Sequence, residues 1–222
     1  MDSRHSQGKL HSAVPMSQPP TSPRRRKSRK RAAVLEAATD LFLTHGFSGT
    51  SMDRIAEVAN VSKRTVYDHF PSKDDLFRAI SLEILQQVDE MPQHEYSPDE
   101  ALDEQLLAIG DTFARTITDP SFMKLSRVVI SRYIHSSDWA QHTVKAHARL
   151  RRNMLAFFKA AKKDGRLRVP SPERAAVQFC GLIKEPTFWP ELMAGQEPVS
   201  ARERKSVVKS AVEMFLDHYR AG

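Results

Sequence analysis

One stretch constrains this chain more than any other: Thr50–Leu76, TSMDRIAEVANVSKRTVYDHFPSKDDL. It reads as two short helices, a tight turn between them, and the start of a third helix. Thr50 has the chemistry to cap the first, because its hydroxyl can accept from orphan backbone N–H groups, and Asp53 sits at the third helical position beyond it. Ile55, Ala56, Val58 and Ala59 supply a small apolar face. Asn60 tolerates the left-handed conformation that ends a helix and turns the chain. Val61 plugs the gap between the helices, and Ser62 caps a second helix from Lys63 to about Phe70. Val66 and Phe70 point back to the core, while Lys63, Arg64, Thr65 and Tyr67 form a polar face. A short, densely polar helix held rigidly on a partner helix is what a DNA major groove accepts.

The rest of the chain supports an all-α architecture. Alternating β-branched runs are absent, and apolar residues recur at helical spacing from Ala32 onward. A first helix is expected from about Ser28 to His45, with Val34, Leu35, Ala38, Leu41 and Phe42 as its stripe and Gly46 as its stop. Pro71 breaks the polar helix. Ser72 and Asp75 form a capping box for the next one, about Lys73 to Met91. Further starts follow at Pro98 (to about Thr118), at Pro120 (to about Ile134) and near Ser137 (to Lys163). Two more follow, at Ser171-Pro172-Glu173 (to about Lys184) and at Ser200 (to about Tyr219). Phe188, Trp189 and Pro190 are expected in a loop after Pro186.

With Ala33–Gly46 ahead of it, the opening stretch closely resembles the N-terminal domain of TetR-family transcriptional regulators. The matching residues are Ala38, Leu41, Phe42, Gly46, Phe47, Thr50 and Ser51, then the run from Ile55 to Ser62, then Thr65 to Phe77. The family often has a small residue where this chain has Arg64, which bears on the bases read. The segment Lys184–Gln196, KEPTFWPELMAGQ, is similar to the matching stretch of the AefR-like C-terminal group within that family. Residues 1–27, poor in apolar residues and rich in Ser, Pro and Gln, are expected to form a disordered basic tail, and the resemblance implies 28–75 as a helix-turn-helix domain and 76–222 as a ligand-binding and dimerisation domain.

It further implies that the second helix of the motif lies in the major groove. Arg64 is the candidate for a base edge, since a guanidinium reads guanine O6 and N7 bidentately. Thr65 suits a thymine methyl or a phosphate, and Lys63 a base or a phosphate. Thr50, Ser51, Tyr67, His69 and Lys73 are candidates for backbone phosphates, and Ser62 belongs to the same surface. The expected partner is a palindromic double-stranded operator, bound by a homodimer formed through the last two long helices. A small, partly apolar effector would sit among Phe113, Ile117, Phe122, Met123, Trp139, Met154, Phe158, Phe179 and Trp189. The same side chains at helical spacing also suit an ordinary core. Ligand binding would tilt the helix from Lys73 and so change the separation of the two reading helices. Most members of the resembled family repress and some activate, so a repressor released by its ligand is expected, with an activator as the alternative; the residues themselves do not say which.

Charge is unevenly placed. The net charge is +7 over 222 residues. Residues 1–32 hold nine Lys/Arg against Asp2, and residues 33–79 hold five Lys/Arg against seven Asp/Glu. The reading unit is therefore net −2, and the basic excess belongs to the N-terminus, where it suits phosphate or minor-groove contact. A non-specific architectural DNA-binder is the alternative such a tail allows.

Other classes find little support. There is no G-x-S-x-G and no phosphate-binding glycine loop, so an enzyme is not expected. His135, His142 and His147 lack an acid or cysteine to complete a metal site, and no metal or cofactor is expected. The single cysteine, Cys180, excludes an intrachain disulfide and suits a reducing cytoplasm. No apolar run approaches the roughly 20 residues of a membrane span, and the polar N-terminus lacks the apolar segment of a signal peptide.

Overall fold

The computed structural model describes residues 23–133 and 151–221, and among these ten helices occur and no strand. The basic run is helical. Helix α1 spans Pro23–His45, five residues earlier than the apolar stripe predicts, so Arg25–Arg31 ride on a helix that the apolar pattern of Val34–Phe42 propagates backward. Gly46 ends α1 at φ 70°. Helix α2 (Met52–Val58) and helix α3 (Lys63–His69) follow. Between them Asn60 adopts φ 51°, the left-handed turn its side chain tolerates. Val34, Ala38, Phe42, Ile55, Val66 and Phe70 close a small core under these three helices.

Helix α4 (Lys73–Asp89) is capped by Ser72, whose Oγ accepts from Asp75 N at 3.1 Å and donates to the Asp75 carboxylate at 2.7 Å. It buries Leu76, Phe77, Ile80, Ile84 and Val88 without a break at residue 76. The next helix does not begin at Pro98. Helix α5 is Leu102–Ile117, with Ala101 as a cap that offers no side chain. The reason is competition: Gln105 accepts from Ser97 N at 2.9 Å and donates to Ser97 O at 2.8 Å. Arg166 also donates to the carbonyls of Pro98 and Glu100. Residues 97–100 are thereby held as a strap instead of a first turn.

Helix α6 is Pro120–Tyr133, and helix α7 is Arg152–Lys163. The earlier part of the helix expected from Ser137 lies outside the described residues. Helix α8 (Pro172–Thr187) runs through Pro186, and the expected loop is a further short helix, α9 (Trp189–Ala194). Proline this near the C-terminus removes one helical bond and clashes with one preceding turn. Burial of Ile183, Thr187 and Phe188 outweighs that local cost. Helix α10 (Ala201–Tyr219) is capped by Ser200 and packs along α5 and α8. Where α5 meets α10, a Cβ on Gly110 would lie 2.8 Å from Val208 Cγ1, so the close approach depends on that glycine. Phe158 stacks on Phe215 at 4.9 Å, and Phe179 meets both edge-on. No helix among the described residues is long and apolar enough to cross a membrane.

Candidate nucleic-acid interface

Helix α3 is short, and its position is fixed from both ends. Ser62 Oγ accepts from Thr65 N at 3.1 Å, and its hydroxyl lies 2.8 Å from Thr65 Oγ1. Val66 is fully buried, and Phe70 nearly so. Lys63 Nζ bonds Asp53 Oδ2 at 2.6 Å, tying the first turn of α3 to that of α2, and this contact holds the Lys63 pKa above its usual value. What remains outward is Arg64, Tyr67 and the partly exposed Thr65 and His69. The Arg64 side chain is 90% exposed and only 3.9 Å from its one acidic neighbour, Asp68, so it is free to reorient toward a base.

Two expected contacts are corrected. Thr50 does not cap α2. Ser51 does, accepting from Arg54 N at 3.1 Å. Thr50 is 3% exposed, and its hydroxyl donates to Leu41 O at 3.1 Å and Gly46 O at 2.9 Å. Its hydroxyl therefore ties α1 to α2 and is not a surface donor. Lys73 is half-buried. Its Nζ donates to Phe47 O at 2.6 Å and Thr50 O at 2.8 Å and lies 4.5 Å from the Phe47 ring centre. Burial lowers its pKa. Two of its three donors are spent on carbonyls, leaving one for a phosphate.

The sequence reading missed where the basic run goes. Arg31 lies 5.2 Å from the centre of the Phe70 ring, at the C-terminal end of α3. His69 is close enough to Lys27 and Arg31 that, after desolvation, their charges lower its pKa. Thus Lys27 and Arg31 of α1 flank the exposed face of α3. The hint available beforehand was that Arg24–Arg31 abut the first helix with no proline or glycine between.

In the C-terminal half, Phe113, Ile117, Phe122, Met123, Met154, Phe158 and Phe179 are all buried in one continuous core, and Trp189 is half-buried against it. Trp139 and the three histidines at 135, 142 and 147 lie outside the described residues. Concavities of about 400, 270 and 270 Å³ occur elsewhere, the first between the ends of α4, α5 and α6.

This architecture has clear relatives. Residues 34–80 match the model of bacterial regulatory proteins of the TetR family, and residues 104–221 match that of the AefR-like transcriptional repressor C-terminal domain. A TetR family transcriptional regulator from Pseudomonas syringae pv. tomato is 41% identical with a TM-score of 0.74, covering 87% of this chain and 98% of that one. The flavonoid-responsive regulator FrrA is 25% identical with a TM-score of 0.69, covering 87% of this chain and 98% of its own. The regulator RutR of Escherichia coli is 47% identical over 58 residues, which are 26% of this chain and about a quarter (27%) of RutR. With an exposed polar helix on a three-helix core and a matched C-terminal domain over more than half its length, this chain belongs to the TetR family of DNA-binding transcriptional regulators.

Proposed function

We propose that the chain is a homodimeric repressor that binds a palindromic operator and leaves it when a partly apolar small molecule binds the C-terminal domain. The observation that carries the reading is the rigid presentation of α3, with Arg64 90% exposed on it. Arg64 reads a base edge. Ser51, Ser62, Lys63, Thr65, Tyr67 and His69 contact bases or phosphates around it, and the free donor of Lys73 reaches a phosphate. The exposed cations of α1 from Arg25 to Arg31 add phosphate contacts beside α3, compensating the net −2 of the reading unit.

Dimerisation is supported by the outer face of α8 and α10. Val177 and Met214 are 49% and 56% exposed there, and a Cβ on Gly181 would meet nothing within 4 Å. Apolar side chains beside a bare glycine suit close helix-on-helix approach with a second copy. Repression is supported by the matched C-terminal model, described as that of a repressor. An effector with an aromatic body is supported by the likeness to a flavonoid-responsive regulator. Residues 33–79 act as the reading unit, the cations of Arg25–Arg31 are carried ahead of it on α1, and α4 carries motion across from the C-terminal domain.

The test is a footprint of the purified protein on the promoter of its own gene, repeated with a chemically broad compound set. Protection of a symmetric site, lost with at least one compound, is expected. Equal binding to random duplex would overturn operator specificity, and tighter binding with compound together with increased transcription would make the protein an activator.

A further inference from the structure

A cavity of about 270 Å³ opens between the end of α6 and the turn that joins α1 to α2. His45, the turn from Gly46 to Gly49, and Ser131 and Arg132 of α6 line it. The turn keeps one shape. Gly46 holds φ 70°, and a Cβ on Gly49 would lie 2.4 Å from the backbone oxygen of His45. Phe47 is anchored against Phe42, with ring centres 5.3 Å apart. Two cations stand on its ring: the Arg132 guanidinium at 3.9 Å from the centre and Lys73 Nζ at 4.5 Å.

The two cations differ in what they can still bind. Lys73 spends donors on the carbonyls of Phe47 and Thr50, at 2.6 and 2.8 Å. A guanidinium carries five N–H donors in a planar fork, and that of Arg132 has found no such acceptor among the described residues. Its Nε is buried with no hydrogen-bond partner. The carboxylate beside it, Asp74, lies 3.6 Å from a terminal nitrogen, beyond hydrogen-bond length. The ring face offsets the charge without filling the fork. The side chain is only 24% exposed, so water reaches little of it. A buried donor left unmade is costly, and an acceptor in the cavity would remove that cost.

We propose that this cavity binds a small oxyanion, a phosphate or carboxylate group, on the fork of Arg132 with the exposed Ser48 and His45 at its rim. The ion ties α6 to the α1–α2 turn, and its occupancy shifts operator affinity. Two oxygens of either group match the guanidinium fork. The space falls below the roughly 300–1,000 Å³ of pockets for drug-sized ligands, which favours a compact ion over an aromatic body. The site lies apart from the aromatic core and does not depend on the effector reading. Because it bridges the two domains, any preference of the ion for one domain arrangement appears, by linkage, as a change in DNA binding.

The experiment is a nitrogen-15 NMR titration of the full chain with inorganic phosphate or acetate, at ionic strength matched with chloride. At least one anion should move the Arg132 Nε–H signal and the amides of residues 45–49 saturably, with a midpoint of about 1 mM, the scale of a few charged hydrogen bonds. Arg132→Gln should abolish the movement of those amides. Ser48→Asp should abolish it too, by placing a carboxylate at the rim, while sparing the stack on Phe47. Melting temperatures show that both variants are folded. Shifts that never saturate, that spread evenly over the chain, or that persist in both variants would overturn the site. Operator affinity in about 10 mM anion should differ threefold or more from that in chloride for the wild type and not for Arg132→Gln; equal affinities would overturn the coupling. The same phosphate chemistry could come from DNA. A salt slope of operator binding shallower by about 1 in Arg132→Gln would place a DNA phosphate in the cavity and overturn the free ion.

Discussion

The guanidinium of Arg132, at the end of α6, lies 3.9 Å from the centre of the Phe47 ring, in the turn between α1 and α2. The same guanidinium sits 3.6 Å from Asp74 at the start of α4. Nearby, Tyr133 meets Phe77 edge-on at 6.4 Å, and Lys124 pairs with Asp40 of α1 at 2.6 Å. The C-terminal domain therefore grips the reading unit through α6 as well as through the continuous α4. Replacing Arg132 with Ala should lower stability by about 0.5–2 kcal/mol, the range of a partly desolvated cation–π contact. It should also speed hydrogen exchange at residues 46–50 while leaving α8 and α10 unchanged. Uniform protection across the variant would show that Arg132 carries no such grip.

Arg64 separates recognition from stability. It is exposed and only loosely paired with Asp68, so Arg64→Ala should leave unfolding free energy within about 0.5 kcal/mol. Operator affinity should fall by about 1–3 kcal/mol, with discrimination lost at one base pair per half-site. Fluorescence anisotropy on the operator and its single-base variants measures this. An equal loss on every sequence would make Arg64 a phosphate contact instead.

Alanine for glycine in a helix normally stabilises by about 1 kcal/mol. At Gly110 the sign should reverse, because the new Cβ would sit 2.8 Å from the stiff, β-branched Val208 and 3.3 Å from Ile183. Gly110→Ala is expected to cost about 1–3 kcal/mol in urea unfolding. In a Val208→Ala background that cost should shrink or vanish. Additive effects in the double variant would mean that α5 and α10 simply move apart.

His69 gives stability a pH dependence. Desolvation first, then Lys27 and Arg31, hold its folded pKa below the ordinary 6.5. The unfolded chain thus binds more protons at pH values just under 6.5, and stability falls as pH drops through 6.5 toward the folded pKa. Unfolding curves at pH 7.5, 6.5 and 5.5 should show the wild type losing more than a His69→Gln variant. Parallel pH profiles would contradict the placement of the α1 cations beside α3.

The sequence conveyed local chemistry well. Ser62 and Ser72 cap the helices their spacing predicts, and Asn60 turns the chain where its side chain allows φ > 0. What it conveyed poorly were competitions settled by distant residues. Thr50 and Ser51 both have capping hydroxyls, and only the reach of Thr50 to Leu41 O decides between them. Lys73 reads as a surface cation until Phe47 and Thr50 supply two carbonyls across 26 and 23 residues. Pro98 looks like a first-turn proline, yet Gln105 and Arg166 claim the surrounding carbonyls. Aromatic spacing could not tell pocket from core either, since Phe113, Phe158 and Phe179 are buried, as both would have them.

The backward extension of α1 bears on how the protein finds DNA. Six cations between Arg25 and Arg31 occupy a helical rise of only about 9 Å, fixed to one end of a reading unit of opposite net sign. Such a body has a permanent electric asymmetry, and a long polyanion exerts a torque on it before any contact forms. A floppy tail would feel the same pull without transmitting it. Carried on a helix, the charge is expected to turn the whole domain as it approaches and to bring α3 round to the groove, and association should slow with added salt more steeply than dissociation quickens.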